Sequence, residues 1–223
     1  PFPHTTLFRS AAKAAFLIAA LLAMVAGIVI SLQWPRAPDA ASPVASAVRS
    51  ATLLPQFREL PPFSLRDHRG QPFTNGDLAG RWTFLNFGYT HCPDICPTTL
   101  AMLASMEQQL KSSGPSVPHR VVFVSIDPER DSQQRLAEYI GYFDPEFVAA
   151  SGSDAELQGL TRPLGILYAK VLTENSAMGY VMDHSASIIL VDPEGRYHAL
   201  FSPPHDPLVM AADFDTIVSS YDH

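Results

Sequence analysis

After residue 57, hydrophobic and polar residues follow a strand period in some segments and a helix period in others, which predicts a mixed α/β domain. The runs 82–89 and 120–127 are rich in aromatic and β-branched residues, as is typical of buried strands. Apolar side chains at helical spacing predict helices over 97–111 and 132–143. Weaker patterns of both kinds predict strands at 63–67, 71–74, 147–150, 168–172, 187–192 and 196–201, and helices at 154–166 and 207–221.

The order of these elements indicates how the sheet is built. It runs strand–helix–strand–helix, followed by an insertion, a hairpin and a last helix. Alternating strands and helices predict a partly parallel sheet flanked by helices, and the closing hairpin makes the sheet mixed. This order resembles the thioredoxin-like fold, in which reactive cysteines lie where the first core strand leads into its helix. In this chain that junction contains Cys92 and Cys96.

The N-terminal segment has a different pattern. Residues 14–35 carry no charge and are mostly apolar, and about 20 such residues in a helix span a hydrocarbon core of about 30 Å. We therefore expect a transmembrane anchor over residues 14–34. Arg9 and Lys13 precede it, so residues 1–13 are expected to stay in the cytoplasm and the following chain to be exported. A cleaved signal peptide is the alternative, although its apolar stretch is usually shorter.

Composition and charge divide the remainder of the chain. Residues 35–56 are rich in Pro, Ala and Ser, which predicts an extended tether before a domain at 57–223. Residues 37–223 carry 12 basic and 22 acidic residues, a net charge of −10, whereas the whole chain has a net charge of −7. This acidic balance argues against a nucleic-acid binder, because such proteins need cations to neutralise phosphates.

The chain contains two cysteines. Two are too few for a disulfide framework or a four-cysteine zinc site, and a domain of this size does not need them to fold. The C-x-x-x-C spacing of Cys92 and Cys96 places them about one helical turn apart. The positive N-terminal end of the helix predicted there lowers thiol pKa values, which favours metal binding or redox chemistry. A pair of buried structural cysteines is the alternative.

Of the eight histidines in the chain, His184 is the best placed to be a third donor. It lies just before the predicted strand 187–192, and in a thioredoxin-like sheet the loop before that strand approaches the cysteine loop. A ligand role and a plain loop role both remain open for it. Two thiolates and an imidazole would form a soft, three-donor site. Structural zinc and iron–sulfur clusters usually take four protein ligands, so copper is the favoured metal.

Three motifs extend this interpretation. They are FGYTHCPDICP at 87–97, VSIDPERD at 124–131 and DHS at 183–185. With these motifs in this order, residues 57–221 resemble the SCO/SenC family of membrane-anchored copper proteins. The resemblance implies a thioredoxin-like domain in which two cysteines and a histidine, at positions 92, 96 and 184, bind Cu(I) or Cu(II).

The same resemblance implies partners and a location. The family delivers copper to the binuclear copper site of cytochrome c oxidase and is associated with reduction of that site's cysteines. The expected partners are the copper-bearing oxidase subunit or another copper chaperone, and not nucleic acid. The domain is then expected to face the periplasm from a bacterial inner membrane, or the intermembrane space from a mitochondrial inner membrane.

Two aspartates are candidates for a supporting role, and two other functions remain open. Asp183 is expected either to hydrogen-bond His184 or to be a plain loop residue, and Asp127 either to shape the rim of the site or to cap a turn. The other functions are a thiol-disulfide oxidoreductase, with Cys92 and Cys96 as its redox pair, and a copper or redox sensor. A thiol peroxidase is disfavoured, because neither cysteine follows the pattern Pro-x-x-x-Ser/Thr-x-x-Cys.

Overall fold

The computed structural model describes residues 16–28, 43–114, 117–173 and 179–221. It divides the chain into two compact units, Pro1–Ala41 and Ser42–His223.

The first unit contains helix α1, residues 16–28, whose side chains are exposed. Within the described ranges, no helix combines the length and the apolar character that crossing a membrane requires. The rest of the predicted anchor, at 14–15 and 29–34, lies outside the described residues, as do residues 35–42 of the predicted tether.

The second unit contains strands and helices in the predicted order, with additions. Its strands are β1 Ala51–Glu59, β2 Ser64–Asp67, β3 Pro72–Thr74, β4 Trp82–Gly88, β5 His119–Ser125, β6 Val148–Ser151, β7 Tyr168–Leu172, β8 Tyr180–His184, β9 Ile188–Val191 and β10 Arg196–Phe201. Its helices are α2 Pro43–Ala47, α3 Ile95–Ser112, α4 Gln133–Phe143, α5 Asp154–Thr161 and α6 Pro207–Tyr221, with a 3-10 turn at Asn75–Leu78.

Eight of these strands form one sheet, in the order β1-β10-β9-β4-β5-β6-β2-β3. In the middle of the sheet, β4 is parallel to β5 and antiparallel to β9. The predicted mixed sheet flanked by helices is therefore confirmed. Because β4 and β5 are parallel and in register from Trp82 to Gly88, their carboxyl ends meet at one edge, where α/β sheets commonly bind ligands.

The core lies on both faces of the sheet. Along β4, Phe84 belongs to one apolar cluster and Leu85 and Phe87 to the other, as the two-residue period of a strand requires. Helices α3, α4 and α6 cover the Phe84 face, whereas α5 covers the opposite face. This packing on both sides fixes the end of β4, from which the cysteine loop departs.

The predicted tether is wrong at its C-terminal end. Residues 51–56 belong to β1, an edge strand paired with β10. The carboxylate of Asp213 in α6 holds the start of this strand by accepting hydrogen bonds from the backbone N–H groups of Arg49, Ser50 and Ala51 at 2.7–2.9 Å. Strand β1 is mostly exposed, so its sequence lacks a strong alternating pattern. Its place is set instead by elements distant in sequence.

Two further elements differ from the prediction. Helix α5 ends at Thr161 and not at residue 166, because the chain turns there and Gly165 takes a φ of +74°. Strand β8 was not predicted. It pairs with β7 in a separate two-stranded antiparallel sheet, called here the β7–β8 ribbon, and its last residue is His184.

Candidate metal centre

The cysteine loop, residues 89–94, connects β4 to α3. Cys96 is the second residue of α3 and is buried, whereas Cys92 lies in the loop and is half-buried. The backbone N–H of Cys96 donates to Cys92 Sγ at 3.4 Å. An amide of the first helical turn, which has no partner within the helix, therefore points at the sulfur and favours its thiolate form.

Gly88 allows Cys96 to pack against the end of β4. A Cβ atom at Gly88 would lie 2.8 Å from Cys96 Sγ and 2.9 Å from Cε2 of Phe123. Contacts this short are not tolerated between such atoms, so any larger residue would displace the sulfur or the ring. The sequence signal for this requirement was the glycine of the first motif, whose role becomes visible only in three dimensions.

Asp131 holds the other side of the cysteine loop. Its buried carboxylate accepts hydrogen bonds from Thr90 N at 2.9 Å, Thr90 Oγ1 at 2.7 Å and Ser125 Oγ at 2.6 Å. A buried carboxylate with three donors is well satisfied, and it joins the loop firmly to the end of β5. Asp131 closes the second motif, which the sequence places beside the cysteine loop, whereas its hydrogen-bond partners become visible only in the structure.

His184 brings the third donor from the β7–β8 ribbon. Its Nε2 lies 3.3 Å from Cys96 Sγ, and its Nδ1 lies 3.0 Å from the carbonyl oxygen of Ser185. Because Nδ1 is engaged by that carbonyl, Nε2 is the ring nitrogen that faces the sulfurs. The edge of the Tyr89 ring packs against the imidazole, with 6.1 Å between ring centroids.

Of the two roles expected for Asp183, the hydrogen bond to His184 is not formed. The partner of His184 Nδ1 is the Ser185 carbonyl, and Asp183 is exposed. The reason is geometric, since neighbouring residues of a strand point to opposite faces and both residues belong to β8.

The two sulfurs and a ring nitrogen of His184 lie within 4.8 Å of one another. This spacing can accommodate one ion at ordinary metal–ligand distances of about 2.0–2.3 Å after small side-chain adjustments. Across the described ranges, no other set of three His, Cys, Asp or Glu side chains brings its donor atoms together in this way. Two thiolates and an imidazole are the donors expected for a soft metal ion.

The two cysteines have opposite pKa shifts. A hydrogen bond from the Cys96 thiol lowers the pKa of Cys92 to about 3, assisted by His184 and by backbone N–H groups and opposed by burial. The same hydrogen bond to Cys92 keeps the proton on Cys96 and, together with burial, raises the pKa of Cys96 well above its usual value. The copper-free pair therefore holds one proton, with the thiolate on the more accessible Cys92.

Asp127 lies behind the site. Its buried carboxylate accepts hydrogen bonds from Arg130 Nε and, at 2.9 Å, from the hydroxyl of Tyr180. Its backbone carbonyl also accepts from the N–H of Asp131 at 3.0 Å in the turn after β5. Of the two roles expected for Asp127, the structure shows the one in the turn after β5, and the side chain points towards the start of β8.

Among the described residues, the other histidines do not belong to the donor cluster. His91 Nδ1 lies 3.1 Å from Thr90 Oγ1, and His205 Nε2 lies 2.9 Å from the carbonyl oxygen of Ala186. His198 is buried and stacks on Phe57, with 4.0 Å between ring centroids. These contacts give each imidazole a structural role.

Comparison with known proteins gives the family. The family model described as SCO1/SenC matches residues 52–219. The chain belongs to the SCO1/SenC family. It is 40% identical over 145 residues to "Protein SCO1 homolog 1, mitochondrial" of Arabidopsis thaliana, which covers 65% of this chain and 42% of the relative. It is 35% identical over 136 residues to a SCO2-like protein of Rickettsia prowazekii, which covers 61% of this chain and 65% of the relative. The chain thus spans less than two thirds of either relative's length.

Two solved structures are also similar to this SCO1/SenC chain. Arabidopsis thaliana ScoI with copper bound has a TM-score of 0.69 and 35% identity, covering 73% of this chain and 99% of that chain. Yeast Sco1 with copper bound has a TM-score of 0.66 and 30% identity, and the match covers 74% of this chain and 90% of the yeast chain. The family predicted from the three motifs is confirmed, and the metal favoured by the donor set is the one that both similar structures contain.

Proposed function

We propose that this SCO1/SenC protein binds one copper ion through Cys92, Cys96 and His184 and passes it to the binuclear copper site of cytochrome c oxidase. The observation that carries the proposal is the convergence of these three soft donors within 4.8 Å. Thiolate and imidazole ligands favour Cu(I). The copper-bound Arabidopsis and yeast structures support the same metal.

The surroundings of the donors suit an ion that has to be released. Three ligands leave Cu(I) open to attack by a ligand of the recipient. A cavity of about 510 Å³ lies beside Cys92 and His184, with Tyr89, Ile95 and Val181 among its lining residues. We infer that the recipient's ligand enters through this cavity and that copper moves by stepwise ligand exchange.

An N-terminal anchor over residues 14–34 is part of the same proposal. It is supported by the uncharged run 14–35 and by Arg9 and Lys13 before it. Such an anchor would hold the domain on the periplasmic side of a bacterial inner membrane or the intermembrane-space side of a mitochondrial one. Tethering donor and recipient to one membrane raises their effective concentration. A reporter fused after Trp34 should be exported, and its retention in the cytoplasm would overturn this orientation.

The opposite pKa shifts of the two cysteines favour a second candidate function, reduction of a recipient disulfide. The Cys92 thiolate attacks one sulfur of that disulfide and forms a mixed disulfide, and the released thiolate takes up a proton. Cys96 then gives up its proton and attacks Cys92 Sγ. The recipient is left with two thiols, and this pair is oxidised to a disulfide.

A copper-transfer experiment tests the first proposal. The reduced full chain is titrated with Cu(I) against a competing chelator. It is then mixed with the oxidase domain that holds the binuclear copper site, prepared without copper. We expect one Cu(I) per chain and transfer to that domain, with Cys92→Ser as the variant that neither loads nor transfers. Failure of the full chain to bind Cu(I), or copper that stays on it in the presence of the recipient, would contradict the proposal. Reduction of the recipient by copper-free His184→Ala, but not by Cys92→Ser, would favour the second function.

A further inference from the structure

The third ligand lies on an element that is separate from the main sheet. The β7–β8 ribbon pairs only within itself among the described strands, whereas both cysteines lie at the end of the main sheet. We propose that Asp127, Arg130 and Tyr180 form a latch that positions His184 over the cysteine pair. This inference rests on the proposed copper site.

The latch joins the start of β8 to the turn after β5. The Tyr180 hydroxyl donates to Asp127 Oδ1 at 2.9 Å, and Arg130 Nη1 donates to the Tyr180 carbonyl at 3.2 Å. The Arg130 guanidinium lies over the Tyr180 ring, 3.6 Å from its centroid, and Arg130 Nε donates to Asp127. The side chains of Asp127 and Arg130 are only 2% and 10% exposed, and hydrogen bonds to charged groups are strengthened by such burial.

The ribbon needs such a contact because space lies on both sides of it. The cavity of about 510 Å³ borders β8 on the side of the cysteines, and a second cavity of about 320 Å³ lies among residues of β7, α5 and the Asp127 turn. Met182 of the ribbon packs in the core. Two polar contacts of the ribbon, Lys170 with Glu129 and the Tyr168 hydroxyl with Asp154, are exposed and so contribute less than the latch. The latch is therefore the buried polar contact that, together with the packing of Met182, holds the ribbon in position.

The latch also reaches the imidazole through an aromatic ring. The Arg130 guanidinium lies 5.5 Å from the centroid of Tyr89, and the edge of Tyr89 packs on His184. A closed latch keeps His184 Nε2 at 3.3 Å from Cys96 Sγ. An open latch lets the ribbon move and leaves copper with two thiolates, so these three residues act on the metal through His184.

Tyr180→Phe tests the inference because it removes the hydroxyl and keeps the ring under Arg130. The control is Tyr142→Phe in α4, a residue that is 85% exposed. Cu(I) affinity of the reduced full chain is measured by chelator competition in the wild-type and His184→Ala backgrounds. Amide hydrogen exchange is measured without copper, which reports local opening independently of metal binding.

We expect Tyr180→Phe to weaken Cu(I) binding about tenfold in the wild-type background and less than about twofold when His184 is already alanine. Amide hydrogen exchange at residues 180–184 should become about tenfold faster, while β4 and β5 stay protected. The control Tyr142→Phe should change neither the Cu(I) affinity nor the exchange rates. An equal loss of affinity in both backgrounds, or exchange at 180–184 as slow as in the wild type, would overturn the latch. A wild-type chain that binds no copper would end the proposed function, yet the exchange data would still decide whether the latch exists.

Discussion

The cysteine loop and the β7–β8 ribbon supply the same site but are built differently. The loop leaves the central strand of the sheet, packs through Cys96 against Gly88 and is held by the buried Asp131. The ribbon lies outside that sheet and exposes apolar side chains, including Leu172 at 80%. Under the proposed function, the well-packed half would retain copper and the adjustable half would control its release.

The largest expected effect comes from removing a cysteine. Cys92→Ser or Cys96→Ser should weaken Cu(I) binding at least about 300-fold, because each change removes a charged, soft donor held by the packed half of the site. Chelator competition on the reduced full chain measures this loss. A loss no larger than that of His184→Ala would erase the proposed difference between the two halves.

Removing the histidine should have a smaller effect. His184→Ala should weaken Cu(I) binding about 30-fold, since it removes a neutral donor on the adjustable ribbon. It should change the free energy of unfolding by less than about 0.5 kcal/mol, because the side chain is only half-buried. Chemical denaturation of the copper-free protein measures this change in the free energy of unfolding. A large loss of stability would mean that the ribbon is an integral part of the core.

Gly88→Ala tests the packing of the cysteine loop. The added Cβ would meet Cys96 Sγ at 2.8 Å, so we expect a loss of about 1–3 kcal/mol in the free energy of unfolding. Gly141→Ala in α4 is the matched control, because nothing lies within 4 Å of its Cβ, and it should be neutral or stabilise by up to about 1 kcal/mol. Equal stabilities of the two variants would show that the loop can relax like the ribbon.

The smallest expected effect is the pH dependence of Cys92 alkylation in the copper-free protein. Because the pKa of Cys92 is lowered to about 3, it remains a thiolate throughout pH 5–8 and its alkylation rate should be nearly constant there. An ordinary thiol such as glutathione, the control, slows about tenfold for each pH unit below its pKa. Peptide mapping should find the label on Cys92 and not on the buried Cys96. A tenfold fall in the alkylation rate of Cys92 for each pH unit would contradict the shared-proton arrangement.

Local sequence patterns predicted the buried core elements better than the exposed strands β1 and β8. Strand β4 and helix α3 follow from strong apolar periods, which also located Cys92 and Cys96 at their junction. Strands β1 and β8 are partly exposed and carry no comparable period, so neither was predicted. Asp131 and the Asp127–Arg130–Tyr180 latch depend on pairings across 41–53 residues of sequence, and no local pattern specifies such pairings.

The central claim is that both halves bind one copper ion together. X-ray absorption at the copper edge tests it most directly on the reduced full chain loaded with one equivalent of Cu(I). The account predicts two sulfur neighbours and one imidazole nitrogen, with loss of the nitrogen signal in His184→Ala. Copper surrounded by nitrogen and oxygen alone, or a spectrum unchanged in His184→Ala, would contradict it.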